Sequence, residues 1–318
     1  MPLVPADFDV PDGIPFDGLT VRLLHRNDLA RHFEACMGSA GRLRSVLHPA
    51  SHPPPSPDIR LALASLLACE WEHYKRTSFS YGVFDDRRSR EVGCIYVAPT
   101  VRAGSDAELV TWVGAGDAAL DGAVFDFAKA WLAQSWPFAN VAYPGRGHPW
   151  AEFPYRHFVP VSFEIPASAA FETFSVRLLT MDDVARDHHA YMTNIDHIAG
   201  TLAGPNFSEQ WPHPGIDVDL ALADAGWSEW QHHLRTQFSY GVFTADGEEE
   251  VGCLYVSPAD RAGYDAEVAF WFVERLSEAG IEPRFLAFVR RWLAEAWPFA
   301  RPGLPGREIT WEEWLGRD

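Results

Sequence analysis

Cysteine is scarce in this chain: four in 318 residues, scattered at positions 36, 69, 94 and 253. That excludes a disulfide-stapled secreted scaffold and any Cys-x-x-Cys redox or zinc motif, so a reduced, disulfide-free, cytoplasmic protein is expected. Basic residues are also in deficit, with 26 Lys and Arg against 44 Asp and Glu for a formal net charge of −18. The imbalance is uneven. Up to Pro160 there are 15 basic and 18 acidic residues, and beyond it 11 and 26. Such a surface repels nucleic acid and anionic membrane, and neither is expected as a partner. No apolar run approaches the roughly 20 residues of a membrane span. The opening Met-Pro-Leu-Val-Pro-Ala-Asp has no basic region before an apolar core, so no leader is expected. Walker loops, dinucleotide fingerprints and a Gly-x-Ser-x-Gly elbow are absent.

What the chain does contain is a long internal repeat. Phe79-Ser-Tyr-Gly-Val-Phe84 returns as Phe238-Ser-Tyr-Gly-Val-Phe243, and Val92-Gly-Cys-Ile-Tyr-Val97 as Val251-Gly-Cys-Leu-Tyr-Val256. Val21-Arg-Leu-Leu24 equals Val176-Arg-Leu-Leu179, and Asp106-Ala-Glu108 equals Asp265-Ala-Glu267. Trp136-Pro-Phe138 and Pro144-Gly-Arg146 reappear as Trp297-Pro-Phe299 and Pro305-Gly-Arg307. A repeat of this length marks two versions of one fold unit. The expected division is 1–156 and 157–318, each an ordinary domain size, with so short a join that the two should pack together. Homo-oligomerisation is left open.

Within one unit, Val21–Leu24 reads as a short strand, followed by a helix with Leu29, Phe33 and Met37 on one side. A long helix opens at Asp58, and its counterpart at Asp217. Phe79–Phe84 and Val92–Val97 form a hairpin, Ala107–Val113 a third strand and Ala119–Ser135 a helix that Trp136-Pro137 stops. Asn140–Tyr143 reads as a last strand, and Val4–Val10, with its repeat Val159–Ile165, as a further one. The class is α+β, each unit a mixed, mostly antiparallel sheet flanked by helices.

This order, with Val92–Val97 and Ala107-Glu-Leu-Val-Thr-Trp-Val113, resembles the GCN5-related N-acetyltransferase (GNAT) family, particularly its ribosomal-protein-acetylating branch. The resemblance implies acyl-CoA as cofactor and an amine of a small molecule or protein as acceptor. It implies a proton-accepting glutamate at Glu108 or Glu267. It also implies cofactor contacts from Val110, Trp112, Val113, Gly114 and Gly116. One departure stands out: the family's Arg/Gln-x-x-Gly-x-Gly/Ala phosphate loop is missing. Gly114-Ala-Gly-Asp-Ala-Ala-Leu-Asp-Gly122 stands there in the first copy, and the acidic Glu274–Pro283 in the second. Glycines let a backbone approach phosphates, whereas Asp117 and Asp121 repel them. The alternative is therefore a ligand-binding or interaction protein on a degenerate acetyltransferase scaffold. His188-His189 and His232-His233 lack the i, i+4 spacing of a helical zinc site, and no metal is expected. Trp136, Arg146 and Trp150 recur together, and a Trp and Arg among them are expected to stack as a cation–π pair that closes the sheet edge or the interface between the units.

Overall fold

The structure, a computed structural model, describes residues 2–48, 52, 54–203 and 211–316. The chain divides into two compact units, Met1–Arg156 and His157–Asp318. Among the described residues of the first, the strands are β1 (Gly13–Phe16), β2 (Leu19–Leu23), β3 (Phe79–Asp85), β4 (Arg90–Ala98), β5 (Ala107–Val113) and β6 (Val141–Ala142). Helices α1 (Leu29–Gly38), α2 (Ala40–Val46) and α3 (Ile59–Tyr74) come between β2 and β3, and α4 (Asp121–Ser135) between β5 and β6. The second unit repeats the plan. Its strands are β7 (Ser168–Phe171), β8 (Phe174–Leu178), β9 (Phe238–Phe243), β10 (Glu250–Ser257), β11 (Ala266–Phe272) and β12 (Pro302–Gly303). Its helices are α5 (Val184–Met192), α6 (Ile195–Thr201), α7 (Val218–Leu234), α8 (Glu274–Glu278), α9 (Glu282–Ala296) and α10 (Trp311–Leu315). Each sheet has six strands in sequence order, antiparallel except for its last pair. The protein is α+β, with two mixed sheets flanked by helices.

The repeated hexapeptide has a packing reason. Strand alternation sends Phe79, Tyr81 and Val83 to the face covered by α4, and Phe84 to the opposite face. Gly82 is small because the Phe84 ring folds back over it: an added Cβ would lie 2.4 Å from that ring. Gly241 meets Phe243 in the same way, also at 2.4 Å. The repeated Val-Arg-Leu-Leu supplies the lid. Arg22 stacks 4.0 Å from the Phe84 centroid while its guanidinium donates to both oxygens of Asp28, at 2.6 and 2.7 Å. Arg177, Phe243 and Asp183 reproduce this at 3.9, 2.6 and 2.8 Å.

The β3–β4 ladder contains one extra residue. Val83 faces Gly93 but Phe84 faces Glu91, so Val92 is a bulge, and Val251 is the same bulge in the second unit. The following glycine is needed there. A Cβ on Gly93 would sit 2.1 Å from the Trp112 carbonyl oxygen, and one on Gly252 2.3 Å from that of Trp271.

Two expectations are corrected. Val4–Val10 and Val159–Ile165 are not strands. Each is irregular chain pinned to its own unit, Arg76 donating to the carbonyls of Pro5 and Phe8 at 2.7 and 2.6 Å. Arg235 likewise donates to Pro160 (2.7 Å) and Phe163. The sheet's outer strand is instead β1, joined to β2 by Asp17-Gly18 with φ of 46° and 78°. Such an Asp-Gly pair is a strong hairpin signal. Helix α2 also stands where no separate helix was expected.

Gly93→Ala and Gly252→Ala are each expected to cost about 1–3 kcal/mol through forced backbone shifts. The readout is a lowered urea midpoint at unchanged m-value. Gly116→Ala, whose Cβ meets nothing within 4 Å, is expected to stay within about 0.5 kcal/mol of the native chain.

Candidate functional site

Strand β5 has a full-length neighbour on one side only. It pairs with β4 from Glu108 to Val113, but with β6 only at Ala107↔Val141 and Glu108↔Ala142. Beyond Glu108 the two strands part. Gly114 N–H donates to the Val92 carbonyl at 2.8 Å, which sets the phase of the ladder. In an antiparallel pair opposed residues alternate between bonded and non-bonded. The backbones of Glu108, Val110, Trp112 and Gly114 therefore turn toward β4, and those of Leu109, Thr111 and Val113 toward the gap.

Glu108 sits at the mouth of that gap, 3% exposed. It accepts a hydrogen bond from the Tyr155 hydroxyl. The Thr100 hydroxyl lies near enough to favour the anion, but no group completes a hydrogen bond to Glu108 Oε2. Burial raises the carboxyl above the ordinary glutamate range, and the Tyr155 and Thr100 hydroxyls only partly offset it. Tyr155 in turn lies within 5.2 Å of the His48 ring and 6.0 Å of Phe153. Arg102 pairs with Glu152 at 2.9 Å and not with Glu108.

Of the expected cofactor contacts, Val110 and Trp112 lie on the β4 side of the strand. Their backbones are engaged with β4, and the Trp112 ring is fully buried with its Nε1–H donating to Tyr96 at 3.0 Å. The Val113 carbonyl does face the gap, where it accepts from Arg42 Nε at 2.9 Å. Gly114 is close-packed, its would-be Cβ 3.1 Å from Ser39 Oγ, while Gly116 is open. The buried Thr111 hydroxyl oxygen has no partner.

The turn into α4 is already saturated with charge pairs. Ser39 Oγ accepts the Ala115 N–H at 3.1 Å. Arg90 holds both oxygens of Asp117, and Arg42 and Arg146 converge on one oxygen of Asp121 at 3.1 and 2.9 Å. Hydrogen bonding to Arg90 lowers the Asp117 carboxyl below its ordinary range. Burial pushes Asp121 up, but Arg146 and Arg42 outweigh it and hold it low. Arg146 stacks over Phe125 at 4.7 Å rather than on Trp150, and Arg307 over Phe270 at 4.4 Å, which corrects the expected pairing.

The second unit parts its strands at the same place, β11 and β12 pairing only at Ala266↔Pro302 and Glu267↔Gly303. Glu267 is 5% exposed and accepts from Trp314 Nε1–H at 2.6 Å. Here the gap is plugged: Arg307 donates to the Phe270 carbonyl at 3.2 Å, the position equivalent to Thr111. Tyr155 and Trp314 each stand 47 residues beyond their glutamate. The two donors differ in type, so identity between the two copies does not mark them.

No family model matches the chain, and no curated protein does. Among solved structures it is similar to the ribosomal-protein-S5-alanine acetyltransferase from Vibrio fischeri, at 19% identity and a TM-score of 0.33. That match covers 41% of this chain and 69% of that one. RimL, a ribosomal L7/L12 α-N-protein acetyltransferase, is similar at 17% identity and a TM-score of 0.30, covering 41% and 64%. RimJ of Mycobacterium smegmatis, in complex with a CoA disulfide, gives 16% identity and a TM-score of 0.32, covering 45% and 68%.

Burial of Glu108 has a stability consequence. Its folded-state pKa is raised, so its contribution is fully present below the ordinary carboxylate range and is lost as pH rises through the raised value. Glu108→Gln stays neutral throughout. Urea titrations at pH 4 and pH 8 are therefore expected to show this variant gaining on the native chain at the higher pH. A gap independent of pH would mean that Glu108 titrates like a surface carboxylate.

Proposed function

We propose that the first unit is an acyl-CoA-dependent N-acyltransferase domain acting on an amine of a small molecule or a protein. The observation that carries this reading is the parting of β5 from β6 beside a buried, proton-hungry carboxylate. The backbone groups of Leu109 and Thr111 face the gap, as an amide-bearing pantetheine arm requires. Gly116, where nothing opposes an added Cβ, leaves room for close approach at the helix start. Arg42, Arg90 and Arg146 supply positive charge in the same region.

Bound acyl-CoA would supply a thioester carbonyl as electrophile. Glu108 then accepts the proton that the amine nitrogen sheds, directly or through one water, and its raised pKa makes it a stronger base than an ordinary glutamate. Tyr155 fixes the carboxylate's orientation through its hydroxyl. The second unit has its gap plugged by Arg307 and is assigned no turnover.

A second reading is favoured by one specific arrangement. Asp117, Asp121 and Ser39 already occupy the donors that a diphosphate would take. On that reading the unit is a ligand-binding or interaction module on a scaffold that has lost the reaction.

Calorimetry with acetyl-CoA separates the two. The native chain is expected to bind, Gly116→Asp to lose binding, and Gly280→Asp to retain it. With a panel of amines, Glu108→Gln is expected to keep cofactor affinity and lose about 10²–10⁴-fold in turnover. The native rate should rise with pH through the raised Glu108 pKa, since the base works when deprotonated. Absence of binding at millimolar acetyl-CoA would leave the second reading standing.

A further inference from the structure

The bulge in the central strand gathers donor atoms that sequence spacing keeps apart. Glu91 and Cys94 are three residues apart on β4, and strict alternation would send them to opposite faces. The extra residue Val92 turns Glu91 onto the Cys94 face, where His32 of α1 meets both. His32 Nδ1 lies 3.0 and 3.1 Å from the two Glu91 oxygens. Cys94 Sγ lies 3.0 Å from Glu91 Oε1 and 4.0 Å from His32 Nδ1. All three side chains are buried, and Cys94 packs with Leu24, Leu66, Phe84 and Trp112. An imidazole, a carboxylate and a thiol sunk in an apolar core are costly unless hydrogen-bonded, and here Cys94 and His32 meet Glu91 through protons that a cation would replace.

We propose that His32 Nδ1, Glu91 and Cys94 Sγ form a three-ligand site for a divalent transition metal of zinc's class. A mixed nitrogen, oxygen and sulfur set suits such a borderline cation. Four-coordinate zinc with bonds of about 2.0–2.3 Å holds its donors about 3.3–3.8 Å apart, and the observed separations of 3.0–4.0 Å bracket that span. Cys36 Sγ, 3.6 Å from the opposite ring nitrogen of His32, orients the imidazole from behind. Binding replaces the thiol proton of Cys94 and any proton on His32 Nδ1, both released to solvent, so affinity falls in acid. The second unit keeps the bulge, Glu250 and Cys253, but has Asp187 in place of the histidine. There a second carboxylate takes the nitrogen donor's place beside Glu250 and Cys253, and the proposal is made for the first unit alone.

The test is Co²⁺ titration of the full chain, with zinc displacement and elemental analysis of protein purified without chelator. The native chain is expected to hold about one zinc and to give a thiolate-to-cobalt absorption band with tetrahedral d–d intensity. Cys94→Ser should abolish the band and weaken zinc binding on the order of 100-fold or more, since even outer-shell losses cost about 10–100-fold. Cys253→Ser should leave both unchanged. A folded native chain that shows no thiolate band and no zinc beyond trace overturns the proposal. So does a band that survives Cys94→Ser or disappears with Cys253→Ser.

Discussion

One extra residue in the central strand sets much of what surrounds it. The bulge at Val92 presses Gly93 against the Trp112 carbonyl, brings Glu91 round to Cys94, and leaves the Val92 carbonyl to accept the Gly114 N–H. That last bond fixes the phase of the β4–β5 ladder, and so decides which backbone groups of β5 look into the gap beside β6. The second unit holds the same bulge, the same glycine and the same bond, from Val273 to Val251. A bulge that only relieved strain would have little reason to recur with its neighbours intact.

The two units share a scaffold and differ where a ligand would enter. Both bury a glutamate where the last two strands part, and both cap it with an aromatic donor from the end of the unit. The first leaves the backbone of Leu109 and Thr111 facing the gap. The second places Arg307 on the Phe270 carbonyl. The difference rests on one residue pair. Asp121 draws Arg146 away toward the helix start, whereas Arg307 has Glu282 only at 3.3 Å and reaches the strand edge as well. Arg307 thus spans the acid and the strand edge at once.

Much of the scaffold was legible from residues alone. The repeat, the strands around Phe79–Phe84 and Ala107–Val113, and the helix ended by Trp136-Pro137 follow from alternation, helical spacing and proline's missing donor. Glu108 was legible as a candidate because it stands at matching positions in both copies on an apolar strand. Val4–Val10 reads as a strand by its apolar residues, but its chain is irregular, and the outer strand of the sheet is the one before the Asp17-Gly18 turn. Trp112 looked like a cofactor contact by position on its strand, and its ring turned out to be core.

The sequence by itself determined two like units, their α+β class, and the identity of the groups that could do chemistry. Those are local properties, carried by periodicity, turn chemistry and repetition. Tertiary structure alone decided that β5 and β6 part after Glu108, that Tyr155 meets Glu108 across 47 residues, and that His32, Glu91 and Cys94 converge. The physical reason is that ladder phase and bulge position depend on which strands pair and in what register. Pairing is a property of the whole sheet, and strand alternation read along one segment cannot supply it.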